Sequence, residues 1–136
     1  MKKVGLLAAL FVLMLSCTVE DAPDTSWKVI NVEVRSTDWV AGTDNSGLNP
    51  YYSCGVDVPE LSSFIYRNGM VQVYYVSGGV QNPLPYVRHY ENAAGNLWTR
   101  TIDYDYEVGF MNLYVTNSDF FNERPATMNF RIVLLW

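Results

Sequence analysis

A chain of 136 residues with nine Lys and Arg against fourteen Asp and Glu is one domain at most, and it is acidic. The net charge of −5 excludes the basic footprint of a nucleic-acid binder, and no Lys/Arg stripe offsets it. One histidine and two cysteines are too few for a closed zinc site of the usual ligand types.

The chain opens on Met1-Lys2-Lys3, and residues 4–15 then run without a charge. Twelve such residues are too few to span a bilayer but fit the core of a signal peptide. A surface helix is a poorer reading, because the segment has no polar face to offer water. The stretch Leu13-Met14-Leu15-Ser16-Cys17 places an aliphatic residue, a small residue and then Cys at its end, the order of a lipoprotein processing site. Met14 stands where Leu is commoner, and ordinary signal-peptidase cleavage nearby is the competing reading. Residues 1–16 are therefore expected to be removed and Cys17 to carry the lipid that ties the protein to a membrane. Lys2 and Lys3 leave with the leader. The remaining chain then holds seven basic residues against fourteen acidic ones, a net charge of −7. Residues 17–26 have the polar, acidic composition of a tether.

The domain is expected over residues 27–136, about 110 residues, a common size for a small sandwich. Ten Tyr, six Phe and four Trp favour strands. Residues 27–35 alternate, with Ile30, Val32 and Val34 on one face and Asn31, Glu33 and Arg35 on the other. A turn-rich loop follows over 42–50, then a strand over 51–58. In residues 59–69 Asn68-Gly69 between apolar runs is a hairpin signal, but the spacing of Leu61, Phe64 and Ile65 favours a short helix. Pro59 suits its first position, and Gly69 suits a left-handed end. Residues 70–76 predict a central strand, 77–83 a loop and 84–91 a strand with Pro85 at its entrance. Asn92-Ala93-Ala94-Gly95-Asn96 predicts a hairpin turn into a strand over 97–107, broken by Gly109. Strands over 110–116 and 128–136 complete the set. The fold expectation is all-β: an antiparallel β-sandwich of about seven strands with one short helix, after a signal peptide.

Chemistry-bearing candidates are few. His89, between Arg88 and Tyr90, is the one histidine a Ser-His-Asp or Cys-His device would need, and no motif points a nucleophile at it. Cys54 loses any partner in the chain once Cys17 is lipidated. It reads as a buried, inert thiol or as the donor of an intermolecular disulfide. In Asp103-Tyr104-Asp105-Tyr106-Glu107, period two puts the three carboxylates on one face and the tyrosines on the other. That pattern is a solvent-facing strand with an aromatic inner face. Asp103, Asp105 and Glu107 are alternatively calcium candidates, although calcium needs six to eight converging oxygens and same-face strand residues diverge. Trp39, Trp98, Tyr104 and Tyr106 are the candidate residues for a stacking platform that takes a sugar or a peptide.

Several strings together resemble one group of proteins. These are Trp27-Lys28-Val29-Ile30, Val58-Pro59-Glu60-Leu61, Leu84-Pro85-Tyr86-Val87-Arg88-His89-Tyr90, Leu97-Trp98-Thr99 and Ile102-Asp103-Tyr104-Asp105-Tyr106. Val115-Thr116-Asn117-Ser118-Asp119-Phe120 and Met128-Asn129-Phe130-Arg131-Ile132-Val133-Leu134-Leu135-Trp136 complete the set. Over residues 27–136 the chain resembles a family of Bacteroidota surface lipoproteins, some of whose members carry a collagen-like Gly-X-Y segment before the C-terminal β domain. This chain lacks that segment. Glu20, Asp21 and Asp24 resemble the acidic export signal that follows the lipidated Cys in surface-exposed lipoproteins of that phylum; an ordinary solvated linker has the same composition. The resemblance implies a β fold and a lipid-anchored place on the outer membrane, facing the cell surface. It implies no catalytic residue and no cofactor.

The functional expectation is a non-enzymatic, membrane-anchored envelope lipoprotein whose domain binds glycan or protein. The alternatives are a structural or assembly component of the envelope, pairing through a sheet edge or Cys54, and a hydrolase using His89 or two converging carboxylates.

Overall fold

The computed structural model describes residues 25–120 and 123–136. The segment read as a signal peptide, Cys17 and residues 18–24 of the expected tether lie outside the described residues. Among the described residues nine strands form two antiparallel sheets. They are β1 (Trp27–Val34), β2 (Val40–Thr43), β3 (Pro50–Asp57), β4 (Met70–Ser77), β5 (Val80–Pro83), β6 (Tyr86–Glu91), β7 (Leu97–Glu107), β8 (Phe110–Asn117) and β9 (Met128–Leu135). One sheet has the order β1-β9-β4-β5 and the other β2-β3-β8-β7-β6. A single 3-10 turn (Ser36–Asp38) and one short helix, α1 (Ser63–Asn68), complete the described elements. Among them no helix is long and apolar enough to cross a membrane.

Alternation along the strands builds the core. On β9, Met128, Phe130, Ile132 and Leu134 are buried; on β8, Met111, Leu113 and Val115. Val71 and Val73 of β4 join them from one sheet, Tyr52, Cys54 and Ile102 from the other. Trp39, just ahead of β2, meets the Phe130 ring edge-on at 6.3 Å and so links the two sheets. No buried residue of the described chain is polar or charged. The inner faces therefore bury apolar surface without orphaning side-chain charge.

The sandwich has nine strands where about seven are expected, because β2 and β5 are four-residue edge strands. β5 occupies most of the segment read as a loop. It is paired to β4 across a two-residue turn, Gly78-Gly79, with φ of 57° and 79°. Positive φ at both central residues is the geometry that matches strand twist in a tight hairpin, and glycine adopts it without strain. Pro83 sits in β5, where an edge strand tolerates the missing donor. The next strand begins at Tyr86 rather than at residue 84. Leu84 is buried and, with Pro85 after a cis peptide bond, carries the chain from one sheet to the other.

The helix is where the spacing places it, with two corrections. Pro59 precedes it in a turn, and the N-cap is Ser62, whose Oγ accepts the Ile65 amide at 3.3 Å. Gly69 ends the helix in extended backbone, φ −96°, instead of the left-handed conformation. Glycine is needed there for closeness: a Cβ would stand 2.4 Å from the Leu135 carbonyl oxygen.

Candidate binding site

The longest strand organises the site. Period two along β7 sends Trp98, Arg100, Ile102, Tyr104 and Tyr106 to one face. Ile102, at the middle, is buried, and cover falls away toward both ends. A depression forms at each end, and the Leu84-Pro85 crossover contributes to the second.

The first depression is a cleft of about 350 Å³ with Tyr75, Tyr86, Arg88, Tyr90, Arg100 and Ile102 in its walls. The β6–β7 hairpin sets its contents in register: Tyr90 lies opposite Trp98, Arg88 opposite Arg100 and Tyr86 opposite Ile102. The Tyr90 and Trp98 rings stack at 4.5 Å with a 15° tilt. The Arg100 guanidinium lies 5.2 Å from the Trp98 ring and 5.9 Å from the Tyr90 ring, within cation–π reach. Its Nε donates to Asn117 Oδ1 at 3.0 Å. Arg88 Nη1 donates to the Tyr86 hydroxyl at 3.0 Å.

The second depression is a wider groove of about 680 Å³, lined by Tyr66, Leu84, Pro85, Tyr104, Asp105 and Tyr106 with Val71. Tyr104 is pinned by its hydroxyl, which donates to the Val71 carbonyl oxygen at 3.0 Å. Burial, then the neighbouring Tyr106, pushes that hydroxyl above the usual tyrosine range. Tyr106 lies nearly parallel to Tyr104 at 6.1 Å, and Tyr66 of α1 meets it edge-on at 5.9 Å. Tyr106 is 36% exposed, so ring surface remains open to solvent. Asp105 accepts from Asn112 Nδ2 and from the Tyr114 hydroxyl, each at 2.8 Å. Burial first, and then Asp105, pushes the Tyr114 hydroxyl up to about 12.

Three of the four aromatic candidates thus share one face of β7: Trp98 beside the cleft, Tyr104 and Tyr106 in the groove. The fourth does not. Trp39 is 1% exposed and belongs to the core, so it presents no ring to a ligand. Tyr66, Pro85, Arg88, Tyr90 and Arg100 also line the two depressions and are absent from the sequence-based set. The signal for Tyr90 and the arginines is available in the Asn92–Asn96 turn, since a hairpin fixes which residues face one another.

The carboxylate candidates stay apart from any such convergence. Among the described residues no group of three or more His, Cys, Asp and Glu side chains is placed to hold a metal ion, so Asp103, Asp105 and Glu107 do not form the calcium site considered above. Asp103 is half-buried and its Oδ1 has no hydrogen-bond partner. Burial, then Asp105, pushes its carboxyl above the usual carboxylate range. A raised folded pKa favours the fold below the ordinary carboxylate range and loses that contribution as pH rises through the folded value. Asp103 therefore costs stability at neutral pH. Asp103→Asn is expected to raise the melting temperature at pH 7, by a gain on the order of 0.5 kcal/mol. The gain disappears near pH 3 (a carboxyl in that range is already protonated). Equal gains at both pH values would contradict the assignment.

His89 points from β6 to the opposite side from the cleft, exposed, with Nδ1 2.9 Å from Thr99 Oγ1. It lines neither depression. Cys54 is free and buried on the inner face of β3, and burial pushes its thiol above the usual range. Comparison with protein-family models, with curated proteins and with solved structures finds no match to this chain.

Proposed function

We propose that the domain is a non-enzymatic, glycan-binding module of a lipid-anchored bacterial envelope protein exposed at the cell surface. The observation that carries the binding half is the groove: Tyr66, Tyr104 and Tyr106 gather around one open depression. A sugar ring offers an apolar C–H face and a rim of hydroxyls. Open aromatic surface suits the first. The Tyr104 hydroxyl bond to Val71 holds that wall before any ligand arrives, which lowers the entropy lost on binding. A glycan array probed with the purified protein tests the reading. Tyr106→Ala is expected to weaken the array signal at least about tenfold, equivalent to about 1.4 kcal/mol of lost contact. An unchanged array signal in that variant would contradict a groove site.

The membrane half rests on the Leu13–Cys17 pattern and on the resemblance to Bacteroidota surface lipoproteins. The partner is the membrane, reached through lipid on Cys17, and the domain needs no cofactor in this reading. Cys17→Ala is expected to abolish acyl labelling and to release the protein from the membrane fraction. Membrane retention without acyl label in the parent chain would contradict the processing site.

A further inference from the structure

The cleft at the other end of β7 has a feature that packing alone does not call for. Arg88 and Arg100 are directly opposed across the β6–β7 ladder and both line the same cleft. Like charges in directly opposed positions destabilise a sheet, so this pair is a standing cost. No Asp or Glu lines the cleft, although the chain has fourteen acidic residues against nine basic ones. Among the described residues the one ion pair is Arg35–Glu33, 3.7 Å apart on the surface, so no described carboxylate neutralises either arginine of the cleft.

Both guanidinium groups are nevertheless held in place. Arg100 is half-buried, seated on the Trp98 and Tyr90 rings and fixed through Nε to Asn117. That arrangement leaves its two Nη groups as donors. Arg88 is tied through Nη1 to the Tyr86 hydroxyl, which leaves Nη2 and Nε. Two fixed forks with spare donors, unpaired and set among tyrosine rings, are complementary to an oxyanion carried on a ring. Fixing the guanidiniums beforehand removes the entropy that a flexible lysine would lose on binding the same anion.

We propose that this cleft is an anion-selective subsite that takes the carboxylate or sulfate of an acidic saccharide, with the oxyanion between Arg88 and Arg100 and the sugar ring against the tyrosines. The proposal stands independently of the Tyr66–Tyr104–Tyr106 groove: each depression has its own lining and its own variant. It also gives the two arginines a role that solubility does not, since the surrounding chain is acidic and would repel such a ligand everywhere else.

Calorimetric titration of the purified protein with trigalacturonate, with its methyl ester, with a sulfated disaccharide and its desulfated counterpart, and with sodium sulfate tests this. At least one acidic saccharide is expected to bind, at least tenfold more tightly than its neutral counterpart. Which one binds tells carboxylate from sulfate. Arg88→Gln and Arg100→Gln are each expected to weaken that binding tenfold or more, and Arg100→Lys to restore only part of it, because an ammonium keeps the charge and loses the fork. His89→Ala, on the opposite side of β6 from the cleft, is expected to leave it unchanged. Arg88 is exposed, so Arg88→Gln carries the test if Arg100→Gln does not fold. Equal binding of acid and neutral counterpart, unchanged binding in the folded arginine variants, inorganic sulfate binding as tightly as the saccharide, or no binding of either acidic saccharide would each overturn the proposal.

Discussion

Phe130→Ala is expected to destabilise the domain by about 3–5 kcal/mol, enough to unfold a marginal protein of this size. Phe130 is 1% exposed and occupies the middle of β9, the strand between β1 and β4. Its ring meets Trp39 at 6.3 Å and Tyr75 at 6.0 Å, so truncation opens a void bordered by two large rings that cannot collapse into it cheaply. Urea denaturation of parent and variant measures the loss. Phe64→Ala is the comparison: Phe64 is a phenylalanine of the same size on α1, 59% exposed, and its truncation is expected to change stability by no more than about 0.5 kcal/mol. A Phe130 effect as small as that of Phe64 would contradict the packing described for the sandwich.

Gly69→Ala is expected to cost about 1–3 kcal/mol, for a steric reason alone. With φ at −96° the backbone suits any residue, so the change carries no conformational penalty. The added Cβ, however, would stand 2.4 Å from the Leu135 carbonyl oxygen and 2.9 Å from both the Ile65 Cγ2 and the Ile65 carbonyl oxygen. Two of those three atoms are backbone, held by β9 and by the helix, and cannot step aside. Gly78→Ala separates this cause from ordinary glycine strain. Gly78 has φ of 57° and nothing within 4 Å of its Cβ position, so its cost of about 1–2 kcal/mol would come from the backbone conformation only. The two variants then differ in what rescues them: Asn, which tolerates the left-handed region, is expected to recover stability at position 78 and to worsen it at position 69. Thermal melts of the four variants decide it, and recovery with Asn at position 69 would contradict the close approach to Leu135.

Much of the architecture is legible in the residues because a half-buried strand has to alternate. Ile30-Asn31-Val32-Glu33-Val34 and Phe130-Arg131-Ile132-Val133-Leu134 give β1 and β9 almost to the residue, and the Asn92–Asn96 turn gives the β6–β7 hairpin. The short strands are less legible. β5 has four residues, one of them Pro83, and its existence depends on pairing with β4 rather than on any preference of its own. The local cue is Gly78-Gly79, a two-residue hairpin turn hidden in what reads as loop composition. Gly69 shows the converse case: a helix-ending glycine reads as left-handed, yet the reason for it lies in Leu135, far along the chain.

The site divides in the same way. Tyr104 and Tyr106 share a face by period two, and that much is local. Trp39 follows the 3-10 turn without a period to orient it, and its burial against Phe130 is a tertiary fact. Tyr66 reaches the groove only because α1 packs beside the end of β7, as its contact with Tyr106 shows, and Pro85 only because the crossover runs there. The opposition of Arg88 and Arg100 needs the hairpin register, a step beyond reading each strand separately. Composition alone says that the chain is acidic, and it hides a cleft where two cations face each other.

We propose that this domain takes glycan in the Tyr66, Tyr104 and Tyr106 groove. The most direct measurement is amide-shift mapping of the purified protein titrated with the strongest hit from the glycan array. Perturbations are expected at Tyr66, at Leu84 and Tyr86 on either side of Pro85, and over residues 104–107, and are expected to be lost in Tyr106→Ala. Perturbations centred instead on the solvent face of β3 and β8, or a map unchanged by Tyr106→Ala, would contradict it.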